Sequence, residues 1–404
     1  MSARVAFRYP SFRNYLIARF LATVSNEMQA VAVGWQIYSL THRPLDLGLV
    51  GLAQFFPGIL LFLVAGHAAD RFERRSILRV CWGIFAVCSL SLAAFTVGGF
   101  TSVYPIYIIL LANGTVRAFH HPASQAFLPL LVAEEHFVNA VTWSASAFTT
   151  ATICGPMIGG LVYGLSGSPL PVYLGAAASY TVGLVLLARV RTARPQQAAA
   201  VGPAASISGG LRFLARNRLV LGAMSLDLFA VLLGGAVALL PVYAREILAI
   251  GAIGLGLLRC APGLGATLTA VALAHRPLGR RAGPAMLVAV AGFGAATVVF
   301  GLSRNVWLSL AALMLVGGCD MVSVIVRQTI IQLGTPDEMR GRVNAVNSVF
   351  IGASNEVGQF ESGVTAQWFG TVPAVVLGGF GTIAVVAVWT ILFPGLRRWK
   401  GAPK

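Results

Sequence analysis

Residues 191–216 read RTARPQQAAAVGPAASISGGLRFLAR, the longest polar stretch in a chain of 404 residues. Ala, Pro, Gly and Ser dominate it and Arg punctuates it, a composition that makes a connector rather than a core-forming element. On either side the chain is apolar. Cutting at charged residues, Pro and Gly leaves six long runs before the connector, near 14–39, 45–69, 76–100, 103–127, 137–165 and 169–190. Six more follow it, near 217–243, 250–274, 283–303, 306–331, 342–369 and 372–396. A bilayer core needs about 20 apolar residues per helix. The expected architecture is therefore an all-α membrane protein of twelve transmembrane helices: a six-helix bundle over 1–190, a cytoplasmic linker over 191–216 and a second bundle over 217–404.

The composition is consistent with that division. Hydrophobic residues make up 57% of the chain and charged residues 10%, against about a quarter charged in soluble domains. A water-soluble enzyme and a disordered chain are both excluded. The net charge of +16 comes from 29 basic residues, of which only Lys400 and Lys404 are lysines. These Arg residues sit between apolar runs and build no groove-lining helix, so no nucleic-acid partner is expected. The five cysteines each lie inside an apolar run without metal-type spacing and read as small core residues. No metal site is expected. The first run follows a basic flank, but Glu27 and Gln29 interrupt it and no small-residue cleavage site follows, so it reads as a retained span.

Basic residues also set the orientation. Arg4, Arg8 and Arg13, then Arg71, Arg74, Arg75 and Arg79, the connector, Arg276, Arg280 and Arg281, Arg340 and Arg342, and the tail with Arg397, Arg398 and Lys400 all fall on one side. The other side offers Arg43, Arg245 and Arg304. By the positive-inside rule both termini and the linker face the cytoplasm. Arg in preference to Lys fits a GC-rich bacterium, and the inner membrane is the expected location.

Displacing the chain against itself by 205 residues without gaps aligns Tyr38 with Tyr243, Gly51-Leu52 with Gly256-Leu257 and Pro57-Gly58 with Pro262-Gly263. The same offset carries Arg71 and Arg75 onto Arg276 and Arg280, and Val138-Asn139-Ala140-Val141 onto Val343-Asn344-Ala345-Val346. Two parallel six-helix halves are the reading. Halves that rock against each other could open a central site to each side in turn.

The loop after the second span, GHAADRFERRSILR, places Gly66, Asp70, Arg71, Arg74 and Arg75 on the pattern G-x-x-x-D-R-x-G-R-R, with Glu73 in place of its third landmark, a Gly. Arg117 stands inside the fourth span, and Gly155, Pro156, Gly159 and Gly160 form GPMIGG in the fifth, while Thr142 and Ala151 occupy two upstream Gly positions. With TPDEMRGRVNAV at 335–346, these motifs resemble the major facilitator superfamily, in particular its enterobactin exporter or transmembrane secretion effector branch. The resemblance implies a gate latch at Gly66, Asp70, Arg71, Arg74 and Arg75, and an antiporter signature in GPMIGG. It also implies efflux. Small residues let helices approach closely and Pro bends one, which suits a moving interface.

An ionised side chain near the bilayer centre costs roughly 2.5–3.5 kcal/mol on insertion scales, so each one needs a reason. Glu27, Arg117, Asp227, Arg259, Asp320, Glu356 and Glu361 lie inside spans, with Arg327 nearer a span end. A carboxyl in low dielectric takes up a proton readily, and that step can be coupled to a conformational change. Proton-coupling candidates are Glu27, Asp227, Asp320 and Arg117. Further cavity candidates are Glu356, Glu361, Arg259, Arg327 and His120. Each has a plainer alternative as a structural ion pair or interhelical bond. Asp227 and Asp320 could each pair with Arg117, Arg259 or Arg327. Glu27 could simply bond Ser25, Gln29 or a neighbouring helix.

The expected function is a proton-coupled exporter of small amphipathic molecules, drugs or siderophores, working by alternating access as a monomer. The proton gradient is its energy source, with no cofactor, and lipids surround it. Two other readings are weighed: a lipid or metabolite transporter of the same fold, and a non-transporting membrane sensor. A membrane enzyme using His120 and His121 lacks a nucleophile elbow, metal ligands or paired catalytic carboxylates.

Overall fold

The computed structural model describes residues 5–191, 203–276 and 278–401, with side chains described at all of these except 62, 63, 69, 70, 203–208 and 280. Every long element is helical. In chain order they are α1 (Pro10–Thr41), α2 (Pro44–Arg71), α3 (Arg74–Val97), α4 (Tyr104–Phe127), α5 (Phe137–Ser166) and α6 (Leu170–Ala188). They continue with α7 (Pro203–Arg216), α8 (Arg218–Gly234), α9 (Gly251–His275), α10 (Ala282–Leu302), α11 (Val306–Gly334), α12 (Asp337–Phe369) and α13 (Thr371–Leu392). Eleven of the twelve apolar runs are present as single helices with ends close to those expected, and the seventh begins as α8.

Among the described residues, nine helical stretches are long and apolar enough to cross a membrane by length and composition. The other three long helices are α1, α4 and α12. These carry Glu27, Arg117, Glu356 and Glu361, and their lower hydropathy is what a helix needs if part of it faces protein or a cavity instead of lipid. On the apolar helices, large side chains such as Val288 and Ile391 stand exposed, a surface that suits hydrocarbon and not water.

Local chemistry punctuates the helices. Pro10 opens α1 at a position where its missing N–H is harmless, and His42 closes it in the left-handed region at φ 52°, its N–H bonded to Tyr38 O at 2.9 Å. Gly167 ends α5 in the same way at φ 66°. Asn217 caps α8 by accepting from the Val220 N–H at 3.2 Å, and its amide donates to Gly334 O at the end of α11 at 3.0 Å.

Two departures from the sequence reading stand out. The second half of the connector is helical: α7 lies against α12, where a Cβ on Gly210 would fall 2.7 Å from Arg342 O. Packing against a neighbour overrides its weak helix propensity. The first half of the connector lies outside the described residues. The seventh span is also broken. After α8 the chain leaves helical geometry at Gly235 (φ −74°, ψ 74°) and resumes through short turns to a wide π-type turn over Tyr243–Ile247. Hydroxyls satisfy carbonyls at the break: Thr382 donates to Ala230 O at 2.9 Å and Ser362 to Gly235 O at 2.9 Å. A break at membrane depth is tolerated only with such partners.

Contact density divides the chain into two compact units. One comprises Met1–His42, Ala53–Gly202 and Gly251–Leu257, the other Arg43–Leu52, Pro203–Ile250 and Leu258–Lys404. In the first, α1 packs against α5 and α6, and α3 against α4 and α6. Its core centres on Phe12, Tyr15, Trp82 and Phe127, all fully buried. In the second, α8 packs on α12 and α13, and α10 on α11 and α13, around Met224, Leu226, Met286, Ile330 and Ile331.

Candidate functional site

Within the second unit, α8 and α11 bring three of the expected charges to one place. Asp227 sits mid-way along α8; Asp320 and Arg327 are seven residues apart on α11, two turns, and so share a face. Arg327 Nη1 donates to Asp227 Oδ2 in a buried ion pair, with Asp227 5% and Arg327 3% exposed. Both residues, together with Asp320, line a cavity of about 270 Å3. Phe293 and Phe300 of α10 form an apolar wall, Gly235 at the helix break another part, and Asn355 and Gln359 of α12 a polar one. Arg327 Nε finds no partner. Two carboxyls thus line a cavity with a single guanidinium, which is bonded to Asp227, and that leaves room for one more positive charge when both acids are ionised.

Glycine sets the shape of the cavity. A Cβ on Gly317 would collide with Pro262 O, and one on Gly265 with Met314 O. Helices α9 and α11 therefore touch backbone to backbone, beside the Pro-Gly pair that the 205-residue repeat marks. Gly58, in the other copy of that pair, faces open space. Gly265→Ala is accordingly expected to cost on the order of 1–3 kcal/mol as overpacking, and Gly58→Ala close to nothing. Thermal unfolding of the two variants in detergent checks the contrast; equal midpoints would contradict it.

In the first unit, Glu27 is half-buried on α1 against the GPMIGG segment of α5. A Cβ on Gly155 would lie 2.5 Å from Glu27 Cβ, and one on Gly159 would lie 2.8 Å from Met28 Cα. Gly160 similarly admits the backbone of Ala252 and Gly256. Pro156 is buried inside α5. Near the same face Arg19 Nη1 donates to Ser144 Oγ at 2.5 Å and its guanidinium lies 6.0 Å from the Phe148 ring. Glu27 belongs to the first unit and Asp227 with Asp320 to the second, so each group is built from its own unit's helices.

The loop motif does structural work within the first unit. Arg74 Nη1 donates to Ala126 O at 3.1 Å, at the end of α4. Arg75 donates from Nε to Leu187 O at 3.2 Å and from Nη2 to Ala188 O at 2.5 Å, at the end of α6. Cations placed on terminal carbonyls suit the negative end of a helix dipole. Glu73, standing where the pattern has Gly, caps α3 at φ −59°, so no left-handed residue is needed there, and it accepts from Ser76 Oγ at 2.8 Å. Gly66 is half-buried and Arg71 exposed at the end of α2, while the Asp70 side chain lies outside the described residues.

The remaining candidates have local partners. Arg117 is exposed on α4 and donates to Gln54 Oε1 at 2.7 Å. His120 Nε2 accepts from Trp82 Nε1 at 3.1 Å, which occupies its lone pair within a tight aromatic cluster. Glu356 accepts from Gln359 Nε2 at 3.1 Å, and Glu361 from Thr365 Oγ1 at 2.7 Å. Arg259 is half-buried on α9. Sequence reasoning did not single out Ser323, the Arg19–Ser144 bond or the helix break. Only the last had a signal, the Gly234-Gly235 pair followed by Pro241.

Comparison with known proteins agrees with this architecture. Residues 1–402 match the profile of the transmembrane secretion effector family. Enterobactin exporter EntS of Shigella boydii serotype 4 is 28% identical over 398 residues, covering 98% of this chain and 94% of the relative. The same-named protein of Escherichia coli O139:H28 is equally similar, at 28% over 398 residues. Among solved structures, a bacterial homologue of the human lysosomal transporter Spinster, in an inward-facing and occupied conformation, superposes with a TM-score of 0.75 at 13% identity, covering 97% of this chain and 98% of that one. The nucleoside transporter NupG superposes with a TM-score of 0.69 at 13% identity, covering 95% of this chain and 99% of that one. These solved structures share the fold. A multi-pass helical chain with this repeat, these motifs and a family match along nearly its whole length belongs to the major facilitator superfamily, in the transmembrane secretion effector family.

Proposed function

We propose that the protein is a proton-coupled exporter that moves a small amphipathic molecule out of the bacterial cytoplasm by alternating access. The observation that carries the coupling is the imbalance of two acids and one guanidinium at the wall of the cavity in the second unit. When one acid takes a proton, the cluster becomes neutral. When it loses that proton, the cluster carries an uncompensated negative charge that a low-dielectric site disfavours. Such a difference lets proton occupancy bias one conformation over another. Asp320 is the exchanging acid in this reading, because Asp227 is already engaged by Arg327.

The cavity volume suits one ring of a larger substrate, with Phe293 and Phe300 to stack on it and Asn355 and Gln359 to bond its polar edge. A siderophore with aromatic chelating groups is the first substrate to test, on the strength of the exporter relatives. The protein works as a monomer in the inner membrane, termini in the cytoplasm, driven by the proton gradient and by no bound cofactor. In proteoliposomes with an imposed pH gradient, efflux of such a siderophore is expected to stop when a protonophore is added. Efflux that persists at full rate would sink the coupling, and absence of flux for siderophores with flux for lipids or drugs would reassign the cargo.

A further inference from the structure

Beside the main cavity lies a narrower hollow of about 10 Å3, bounded by Asp227, Asp320, Ser323 and Cys319 with Val290 and Phe293. That is roughly the space of one water-sized occupant. Ser323 is 2% exposed and its Oγ has no hydrogen-bond partner. Hydroxyls on neighbouring helical turns behave differently. Ser225 donates to Leu221 O at 2.7 Å, Thr297 to Phe293 O at 2.9 Å and Thr329 to Ile325 O at 2.8 Å, each four residues back along its helix. Ser323 forgoes that bond, and it lines the same hollow as the two aspartates. An unsatisfied buried hydroxyl costs about 1–3 kcal/mol, so a native protein supplies it with a partner.

We infer that Ser323, Asp227 and Asp320 form a seat for a single small monovalent cation, a sodium ion or a hydronium. Charge and geometry agree on this class. The pair Asp227–Arg327 is neutral, so with Asp320 ionised the hollow has a net charge of −1, which one monovalent cation cancels. Among the described residues no three His, Cys, Asp or Glu side chains converge as a metal site. With Asp227 paired to Arg327, one uncompensated carboxylate, a second carboxylate already neutralised and a hydroxyl carry too little charge and too few oxygens for a divalent ion. The titratable groups facing the seat are Asp227 on α8 and Cys319, Asp320 and Arg327 on α11. Around it α9 and α10 present apolar residues and Thr297, and α12 the neutral Asn355 and Gln359. The seat rests on the coupling reading only for its use in transport; occupancy is an equilibrium property that needs no gradient.

The test is a thermal-unfolding titration of the purified full-length protein in detergent. In one arm NaCl replaces choline chloride at constant ionic strength and fixed pH. In the other, pH is varied in choline chloride without sodium. The wild type is expected to show saturable stabilisation in one arm: sodium dependence identifies Na+, pH dependence that Ser323→Ala shifts identifies hydronium, and pH dependence that Ser323→Ala leaves unchanged is plain protonation of Asp320 and removes the seat. Ser323→Ala is expected to weaken that apparent affinity about tenfold or more, the scale on which loss of a supporting group at an ion site acts, while Ser323→Thr retains it and Asp320→Asn removes the response. Ser323→Ala titrating like the wild type in both arms, or a wild type that responds in neither, overturns the seat. Gradient-driven efflux measured in parallel separates the readings: efflux without a Ser323-dependent titration leaves coupling standing and removes the seat, and the converse leaves the seat and removes coupling.

Discussion

Arg327→Met is expected to lower the stability of the protein by roughly 3–5 kcal/mol, the usual consequence of removing one partner of a buried ion pair. Asp227 is 5% exposed and its Oδ2 is held by Arg327, so the substitution strands a buried carboxylate without its counter-charge. The double variant Asp227→Asn with Arg327→Met removes both partners of the pair, leaves the cluster at its original net charge through Asp320, and is expected to recover most of the loss, since apolar or neutral replacements of a whole buried pair are often neutral or better. Unfolding midpoints in detergent for wild type, the single variant and the double variant measure this. A single variant as stable as the wild type, or a double variant no better than the single, would show that the pair does not hold the second unit together. Both variants are also expected to lose gradient-driven transport, so stability and transport together separate scaffolding from coupling.

Asp320→Asn carries the second large effect, and on transport instead of stability. Asn keeps the shape of the protonated acid but cannot exchange a proton. Proton-driven efflux is therefore expected to fall to background, roughly a hundredfold or more, because the protein can no longer be biased by proton occupancy. Counterflow, in which substrate exchanges without net proton movement, is expected to stay within about twofold of wild type, since the neutral state is one the cycle already visits. The pH dependence of transport is expected to flatten in the variant. Loss of counterflow together with efflux would mean that Asp320 binds substrate or supports the fold; full efflux in the variant would remove it from coupling altogether. Asp227→Asn should differ, because it unbalances Arg327 and so reduces stability as well.

The two experiments probe residues that look alike in the sequence. Asp227, Asp320, Glu27, Glu356 and Glu361 are all acids inside apolar runs, and the sequence reading sets Glu27, Asp227 and Asp320 ahead of the other two, with Glu27 favoured by its depth in the first span. The structure separates them by their surroundings. Glu361 has a hydroxyl partner one turn away on its own helix, and Glu356 an amide three residues on. Glu27 packs against a glycine-rich stretch of α5. Asp227 meets a buried guanidinium from a different helix, and Asp320 shares its cavity. His120, whose ring could suit a proton relay, turns out to accept from Trp82 inside an aromatic cluster. Arg74 and Arg75, recognised through a loop motif, bond the carbonyl ends of α4 and α6, a contact that no motif pattern specifies.

Where the apolar helices lie was legible in the sequence, because hydrocarbon requires runs of about 20 apolar residues with every backbone group bonded inside the helix, and that requirement is local; the helical α7 and the break at Gly235 were not. The 205-residue repeat and the close approach of small residues along GPMIGG were equally legible, since an ungapped offset and a missing side chain are visible in one dimension. What only the tertiary structure decided is which charges meet. Asp227 and Arg327 are separated by 100 residues, and their pairing depends on how α8 and α11 are rotated in the bundle. The direction of the Ser323 hydroxyl and the hydroxyls that complete the broken seventh span are of the same kind. Partner choice between helices follows from packing many weak contacts at once, a sum no short stretch of chain contains.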